Sequence, residues 1–445
     1  MHGGGIQIIK KERNKMKNKL IALALCTLML LSVAAVAGAV TEITIPSYKT
    51  GENVGAVFFV PQVERFNAKY DGVYKINLET APQDNFNDRL KQLAQQNALP
   101  VLIQGGDPEW IRNVVIPRGQ AYDMTEWIES TPALKGVFIE DSLDYCTIDG
   151  KINVIPLATI RGTGLYYNSE LWNPGDISRM TMDEFIEALG DQKIAFSTLE
   201  NGWVAGLMFT ALINAEEGGA ELLNIGINPD TRIVDFNNDV FINAATKLQQ
   251  LLQNNAAPNS IGAAYADAAN NFMSNQAAVI ANGPWMATDF SEANAENWSN
   301  GFDGANVHAA FFPGQMGIAS ARAFGEWWIS ANASEEEIEL AKAFIEFVYS
   351  PEELEAFLLA EGGDAPKLTY SDGFKAEQAK TQVLADLAED ATADSVFVPC
   401  FLDAVPNSTA NMDFGRLLPG LADGSLTPEQ FCQQLTISAT EATME

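Results

Sequence analysis

The sequence predicts an α/β protein with two domains, and three observations carry that expectation. Its 445 residues are 47% hydrophobic, enough for two well-buried cores and unlike a fibrous or disordered chain. Between Glu42 and Ile103, strand-like and helix-like patterns alternate in the order that builds a parallel sheet. The stretch from Phe272 to Trp285 reads as a helix end, a short buried strand and a breaker, with a tryptophan left at the strand's mouth.

The elements follow in chain order. Residues 42–45 alternate as a first strand, 46–55 form a polar loop, and Val57, Val63 and Phe66 carry a helical stripe as far as Tyr70. A second strand is expected over 74–78, a helix over 84–97 and a third strand over 100–103, with Gly105-Gly106-Asp107-Pro108-Glu109 at its end. Residues 164–168 predict a strand, and Thr181 with Glu184 makes a capping box ahead of Phe185, Ile186 and Leu189. Helices are expected over 202–214 and 244–253, and the short Ala-rich and Asn-rich patches near 254–271 read as loop. Phe272 and Met273 end an amphipathic helix, 277–280 form a strand, and Asn282-Gly283-Pro284 stops it. A strand over 307–312 runs into Pro313-Gly314, and one over 325–330 puts Trp327 and Trp328 on opposite sides. Ser334 and Glu337 open a helix with Ile338, Ala341, Phe344, Ile345 and Val348 on one face, and Ser350-Pro351 ends it and begins the next. Thr427-Pro428-Glu429-Gln430 starts the closing helix.

The head of the chain reads as an export signal. Lys15, Lys17 and Lys19 precede an apolar run over 20–40, and Ala37-Gly38-Ala39 gives a small-x-small cleavage pattern after Ala39. Met16 is the better initiator, and Cys26 sits in mid-run behind the bulky Leu25, as an ordinary residue of the apolar region. The run's length also allows an uncleaved anchor. The formal net charge is −31, and removing 1–39 takes away six basic residues and Glu12, leaving the chain more negative still. Such a field repels nucleic acid and anionic membrane surfaces, so neither is an expected partner. Cys146, Cys400 and Cys432 remain after cleavage, too few for a disulfide framework; whether Cys400 and Cys432 pair is open.

Several motifs in order resemble the extracellular solute-binding proteins of sugar ABC importers, the family of maltose-binding protein. They are the helix, strand and Gly-Pro-Trp of 272–285, with Asn275 where the family has glycine, and Gly105-Gly106-Asp107-Pro108-Glu109, where the family has Gly-x-x-Pro-Asp. Asp149 to Pro156, the Leu165-Tyr166-Tyr167-Asn168 strand, Gly325-Glu326-Trp327 and the Ser350-Pro351-Glu352 turn complete the set. The resemblance covers nearly all of 42–435. It implies a two-lobed type II periplasmic-binding-protein fold, each lobe a mixed sheet flanked by helices, joined by three hinge crossings at about 149–156, 313–314 and 350–351. Lobe 1 would be 40–157 with 308–350, and lobe 2 would be 158–307 with 351–445. The resemblance also implies a monomer that closes on a sugar or oligosaccharide and presents it to a membrane permease, with no cofactor. Rival readings are the same fold holding a polyamine, metal chelate or phosphorylated solute, and a secreted carbohydrate-active enzyme.

Little in the chain suggests catalysis. Its two histidines are His2, lost with the head, and His308, so a zinc site or a triad would have to be built on His308 alone, which is read as a plain strand or loop residue. No phosphate-cradling glycine loop is present, and with 58 acidic residues a carboxylate pair carries no information. Tryptophan is the informative residue. A sugar needs a flat π surface under its C–H face and polar groups at its rim, and by the resemblance Trp203, Trp285 and Trp327 face the ligand. Covering part of an indole of roughly 200 Å² contributes a few kcal/mol, so two or three such platforms supply much of a micromolar affinity of about −8 kcal/mol. The candidates for the polar rim are Arg161, Glu326, Lys49, Arg112, Asn113, Glu52 and Asp84, with Gly325 beside them. An arginine at 161 either favours an acidic sugar or pairs with Glu326.

Overall fold

A computed structural model describes residues 40–443 apart from Glu52, Val54, Gln83, Asp84, Ala321 and Ala393, so the expected export signal and two rim candidates, Glu52 and Asp84, lie outside the described residues. In the first lobe, strand Thr41–Ser47 runs parallel to Tyr74–Thr80, with Thr41 opposite Tyr74 and Ser47 opposite Thr80. A parallel pair needs a crossover, and helix Ala56–Lys69 supplies it, burying Phe59, Val63 and Phe66. The third strand departs from the expected parallel arrangement. Leu102–Gln104 pairs antiparallel with Trp327–Ile329, which returns from much later in the chain. Period-two alternation then sorts the side chains. Ile103 and Trp328 enter a layer with Phe86, Leu90 and Val115, while Leu102, Trp327 and Ile329 enter one with Phe59, Phe66 and Phe344.

The second lobe is built on an antiparallel sheet with Gly164–Asn168 at its centre, flanked by Val279–Asn282 and Val307–Ala310. Helix Trp203–Asn214 is buried from Val204 to Ile213 on every side, as its unbroken apolar sequence requires. The capping boxes expected at Thr181 and Ser334 are formed, and Thr427 makes a third. The region near 254–271 is not all loop. Helix Tyr265–Phe272 occupies its end, because Ala268, Ala269 and Phe272 recur on one face and bury against the sheet. The three cysteines among the described residues, Cys146, Cys400 and Cys432, are free thiols, each buried, and Cys400 and Cys432 do not pair.

The return from the second lobe to the first lies later than the sequence suggests. Val307–Ala310, expected at the start of that return, pairs with Gly164–Asn168, and Met316–Ile318 pairs with Val396–Val398, so both belong to the second sheet system. Pro313-Gly314 is a hairpin corner closed by the Phe312 to Met316 bridge, with Gly314 at φ 82. We therefore place the second crossing between Ile318 and Phe324. The third crossing is a whole helix, Pro351–Glu361. Its first turn is tied to the first lobe through Glu353, 6% exposed, which accepts from Arg65 Nε and Nη2 at 2.8 and 2.7 Å and from Gln62 Nε2 at 3.2 Å. Its far end abuts the second lobe at Pro284, which a Cβ on Gly362 would meet at 2.3 Å.

The first two crossings are held against each other by one hydroxyl and one glycine. Ser142 Oγ accepts from Leu157 N at 2.7 Å and donates to Ala323 O at 3.2 Å. At Gly325 the strands approach so closely that a Cβ would lie 1.4 Å from Ile155 O. Only glycine fits there without moving backbone. We expect Gly325→Ala to cost about 2 kcal/mol or more, read as a lower midpoint in thermal unfolding; a midpoint equal to that of the parent would contradict this close approach.

Candidate functional site

A cavity of about 280 Å³ lies where the two lobes and the three crossings meet. Arg161 and Thr163, just past the first crossing, line it together with Ser320 on the second, Glu326 just past that one, and Phe357 on the hinge helix. The second lobe adds Trp203, Trp285 and Asp403, and the first adds Trp327.

Local sequence explains how the indoles come to be there. Strand Val279–Asn282 ends at Gly283, and the Pro284–Phe290 turn folds the Trp285 ring back over that glycine, where a Cβ would meet ring carbons at 2.1 Å. Trp285 Nε1 donates to the Tyr265 hydroxyl at 3.1 Å, and that hydroxyl also pairs with the Asn282 side chain, which fixes the ring's edge. Trp203 opens its helix after Gly202, which is left-handed at φ 60. The two rings stand 6.3 Å apart at 41°, an open angle rather than a stack. Trp327 also lines the cavity, but it is 3% exposed, packed on Phe59 at 5.9 Å and Phe344 at 5.4 Å. So little of its ring is open that it forms floor rather than a platform. Its strand alternates into the first lobe's core, which claims the face that a ligand would need.

Charge is concentrated beside the indoles. Glu326 Oε2 accepts from Lys49 Nζ at 3.1 Å and Gln104 Nε2 at 3.0 Å, and Oε1 accepts from Arg161 Nη2 at 3.4 Å. Burial opposes ionisation of this carboxyl, but Lys49 and Arg161 outweigh it and hold the group near 2. Lys49 is raised in turn, its burial overcome by Glu326. Arg161 also donates to Glu361 at 3.2 Å, and its guanidinium lies 5.3 Å from the Trp285 ring centre and 5.5 Å from that of Phe357. Of the two readings open for Arg161, the structure takes the pairing with Glu326. Glu361 itself is raised, because burial and the neighbouring Glu326 outweigh its share of the cations. Asp403 keeps open surface in the cavity, yet crowding pushes its carboxyl up to about 6, with Arg232 offsetting only part. No hydrogen bond reaches that carboxylate from the described residues. It is the rim's free acceptor.

The structure brings Arg161, Glu326, Trp203 and Trp285 to one cavity, with Gly325 beside them and Lys49 behind Glu326. Arg112 and Asn113 are not part of the cavity. The Ile111–Val115 turn sends Ile111 and Val115 into the core, which leaves Asn113 exposed and Arg112 over the Tyr145 ring at 5.7 Å. Sequence reasoning missed Gln104, Tyr265, Phe357, Glu361 and Asp403. Glu361-Gly362-Gly363, at the end of a crossing, carried a readable signal, since paired glycines mark close approach. Tyr265 and Asp403 carried none, because only tertiary packing brings Tyr265 against Trp285 and Asp403 to the cavity.

The Glu326 network predicts an acid limb. A carboxyl depressed by folding contributes stability that is complete above about 4.3, where a free glutamate titrates, and is lost as pH falls through about 2. Glu326→Gln should therefore unfold at a lower temperature than the parent at neutral pH, with the gap narrowing steadily between pH 4.5 and 2. Parallel curves over that window would rule the network out as a source of stability.

Comparison with known proteins adds the following. The family model described as "Bacterial extracellular solute-binding protein" matches residues 62–392. A solved structure named "Chitin oligosaccharide binding protein" is similar with a TM-score of 0.70 and 18% identity, over 92% of this chain and 100% of that one. A Streptococcus pneumoniae solute-binding protein in complex with the blood group A-trisaccharide is similar with a TM-score of 0.69 and 17% identity, over 90% and 100%. The GacH receptor of Streptomyces glaucescens GLA.O is similar with a TM-score of 0.65 and 15% identity, over 91% and 98%. No curated protein matches. With its two lobes, three crossings and central cavity, and with the family model spanning most of its length, the chain belongs to the bacterial extracellular solute-binding proteins.

Proposed function

We propose that this protein is the substrate receptor of an ABC importer, closing on a small neutral sugar and handing it to membrane permease subunits. The observation that carries this reading is the angled pair Trp203 and Trp285 lining a cavity that Arg161, Glu326 and Asp403 also line. Indole faces suit the C–H side of a pyranose, and the carboxylate and hydroxyl groups around them suit its hydroxyls. The carbohydrates named for the similar solved structures support the same class. At about 280 Å³ the cavity lies at the low end of small-molecule sites, about 300–1,000 Å³, in keeping with a short saccharide. Neutrality is argued from charge. Arg161 and Lys49 are already committed to Glu326 and Glu361, and Asp403 leaves the rim negative, which disfavours an acidic or phosphorylated solute. The receptor returns its ligand unchanged.

Isothermal titration of the protein against a panel of neutral mono- and oligosaccharides, uronic acids and polyamines tests this, with product analysis for turnover. A neutral saccharide should bind and be recovered intact. Trp285→Ala and Trp203→Ala should each weaken that binding about tenfold or more, in line with ~1–3 kcal/mol for an aromatic face, while leaving the circular dichroism spectrum unchanged. Binding confined to polyamines or uronic acids, or indifferent to both substitutions, would overturn the assignment.

A further inference from the structure

One short loop of the first lobe holds two residues of the second, outside the crossings. In loop 105–109, Asp107 is 4% exposed and its Oδ1 accepts from the backbone N of Glu109 at 3.0 Å and of Trp110 at 3.2 Å. Its Oδ2 accepts from Lys91 Nζ at 2.9 Å, within the lobe, and from Asn407 Nδ2 at 2.7 Å, across the cleft. Glu109 Oε1 accepts from Arg232 Nε at 2.8 Å, also across the cleft. Arg232 is itself seated: its side chain is 11% exposed, and Nη1 donates to the carbonyls of Gly226 at 3.3 Å, Ile227 at 3.4 Å and Asp403. The loop reaches this position through Gly105 and Gly106, at φ 77 and 116, conformations that other residues rarely take.

We propose that Glu109–Arg232 and Asp107–Asn407 form a latch that holds the lobes together without ligand, closes the cleft beside Asp403, and so limits the length of ligand the site accepts. Asp403 lines the cavity and accepts from Arg232 with its carbonyl, so the bridge from Arg232 to Glu109 stands next to the cavity wall. A saccharide that ends inside the cavity leaves the bridge intact. One extending past Asp403 meets a charged pair from both lobes and must break it, exposing a nearly buried guanidinium that then lacks its carboxylate. Glu109 is long enough to reach Arg232 and is thereby withdrawn from the ligand. None of the four latch residues lines the cavity, so the latch acts on size and closure without contributing to the sugar's own contacts.

The limit on length rests on the carbohydrate reading above; the latch itself does not, and the test separates them. Small-angle X-ray scattering of the ligand-free protein should show a larger radius of gyration for Glu109→Ala, for Asn407→Ala and most for the double variant. Equal radii among the folded variants and the parent would overturn the latch, whatever the ligand proves to be. A merely structural role would lower the unfolding midpoint without opening the particle, which scattering and a thermal melt together distinguish. In calorimetry over a length series of one neutral saccharide, the parent should prefer the shorter members. Glu109→Ala should shift the ratio of affinities about three- to tenfold toward the longer ones. An unchanged ratio would overturn the limit on length, and failure of every saccharide to bind any variant would overturn the carbohydrate reading while leaving the scattering result to decide the latch.

Discussion

Two cations and two carboxylates meet at the join between the lobes, and the rest of the site is arranged around keeping them paired. Taking a charge out of water costs several kcal/mol unless a partner of opposite sign and good geometry offsets it. Glu326 has two such partners and an amide, all within 3.4 Å, and its groups come from different parts of the chain: Lys49 and Gln104 from the first lobe, Arg161 from just past the first crossing. Arg161 continues the network to Glu361 at the end of the hinge helix. One ion network therefore joins the chain just past the first two crossings to the end of the third, so a rotation of the lobes that separated these groups would leave charge unpaired. The interaction that makes the closed arrangement definite also removes Arg161 from the list of groups free to bind an anion.

The aromatic side follows a different constraint, the space around a backbone. Trp285 can lie flat toward the cavity only because Gly283 has no Cβ, and its edge is then secured by Tyr265. Arg161 closes over the same ring and over Phe357, coupling the aromatic platform to the ion network. The cavity's two chemistries are thus not independent. A ligand laid against Trp285 also meets the guanidinium that ties the crossings together, which gives a physical route from occupancy of the site to the relative position of the lobes.

Much of this was legible in the chain. Alternation placed Trp327 and Trp328 on opposite faces, the capping boxes at Thr181 and Ser334 located two helix starts, and Asn282-Gly283-Pro284 marked the end of the site's central strand. What could not be read was the set of consequences of tertiary packing. Trp327 has the composition of a platform, and only the packing of Phe59 and Phe344 shows that its face is taken. Pro313-Gly314 looks like a crossing because a turn signal does not say whether the chain changes lobe or merely direction. Arg112 and Asn113 follow a site-like loop, yet the turn that buries Ile111 and Val115 points them elsewhere. Gly325 was noticed as part of a pattern, while its reason, a carbonyl 1.4 Å from where a Cβ would sit, belongs to a strand far away in sequence.

The energetics of closure link the two ends of the cleft. An interlobe ion pair and an amide hydrogen bond, partly open to water, contribute of the order of 1 kcal/mol each. That sum is small beside the roughly −8 kcal/mol of a micromolar ligand, but it is comparable to the few kcal/mol that separate open and closed states in proteins of this kind. A latch of this size moves the resting population without dominating binding. It also works in both directions: what favours closure before binding lowers the cost of closing on a short ligand, and what must be broken for a longer one raises it. Discrimination by length then arises at Glu109 and Arg232, away from the sugar contacts, and needs no change in Trp203 or Trp285. The hinge network and the latch thus have separate tasks, since the first defines how the lobes meet and the second sets how readily they part.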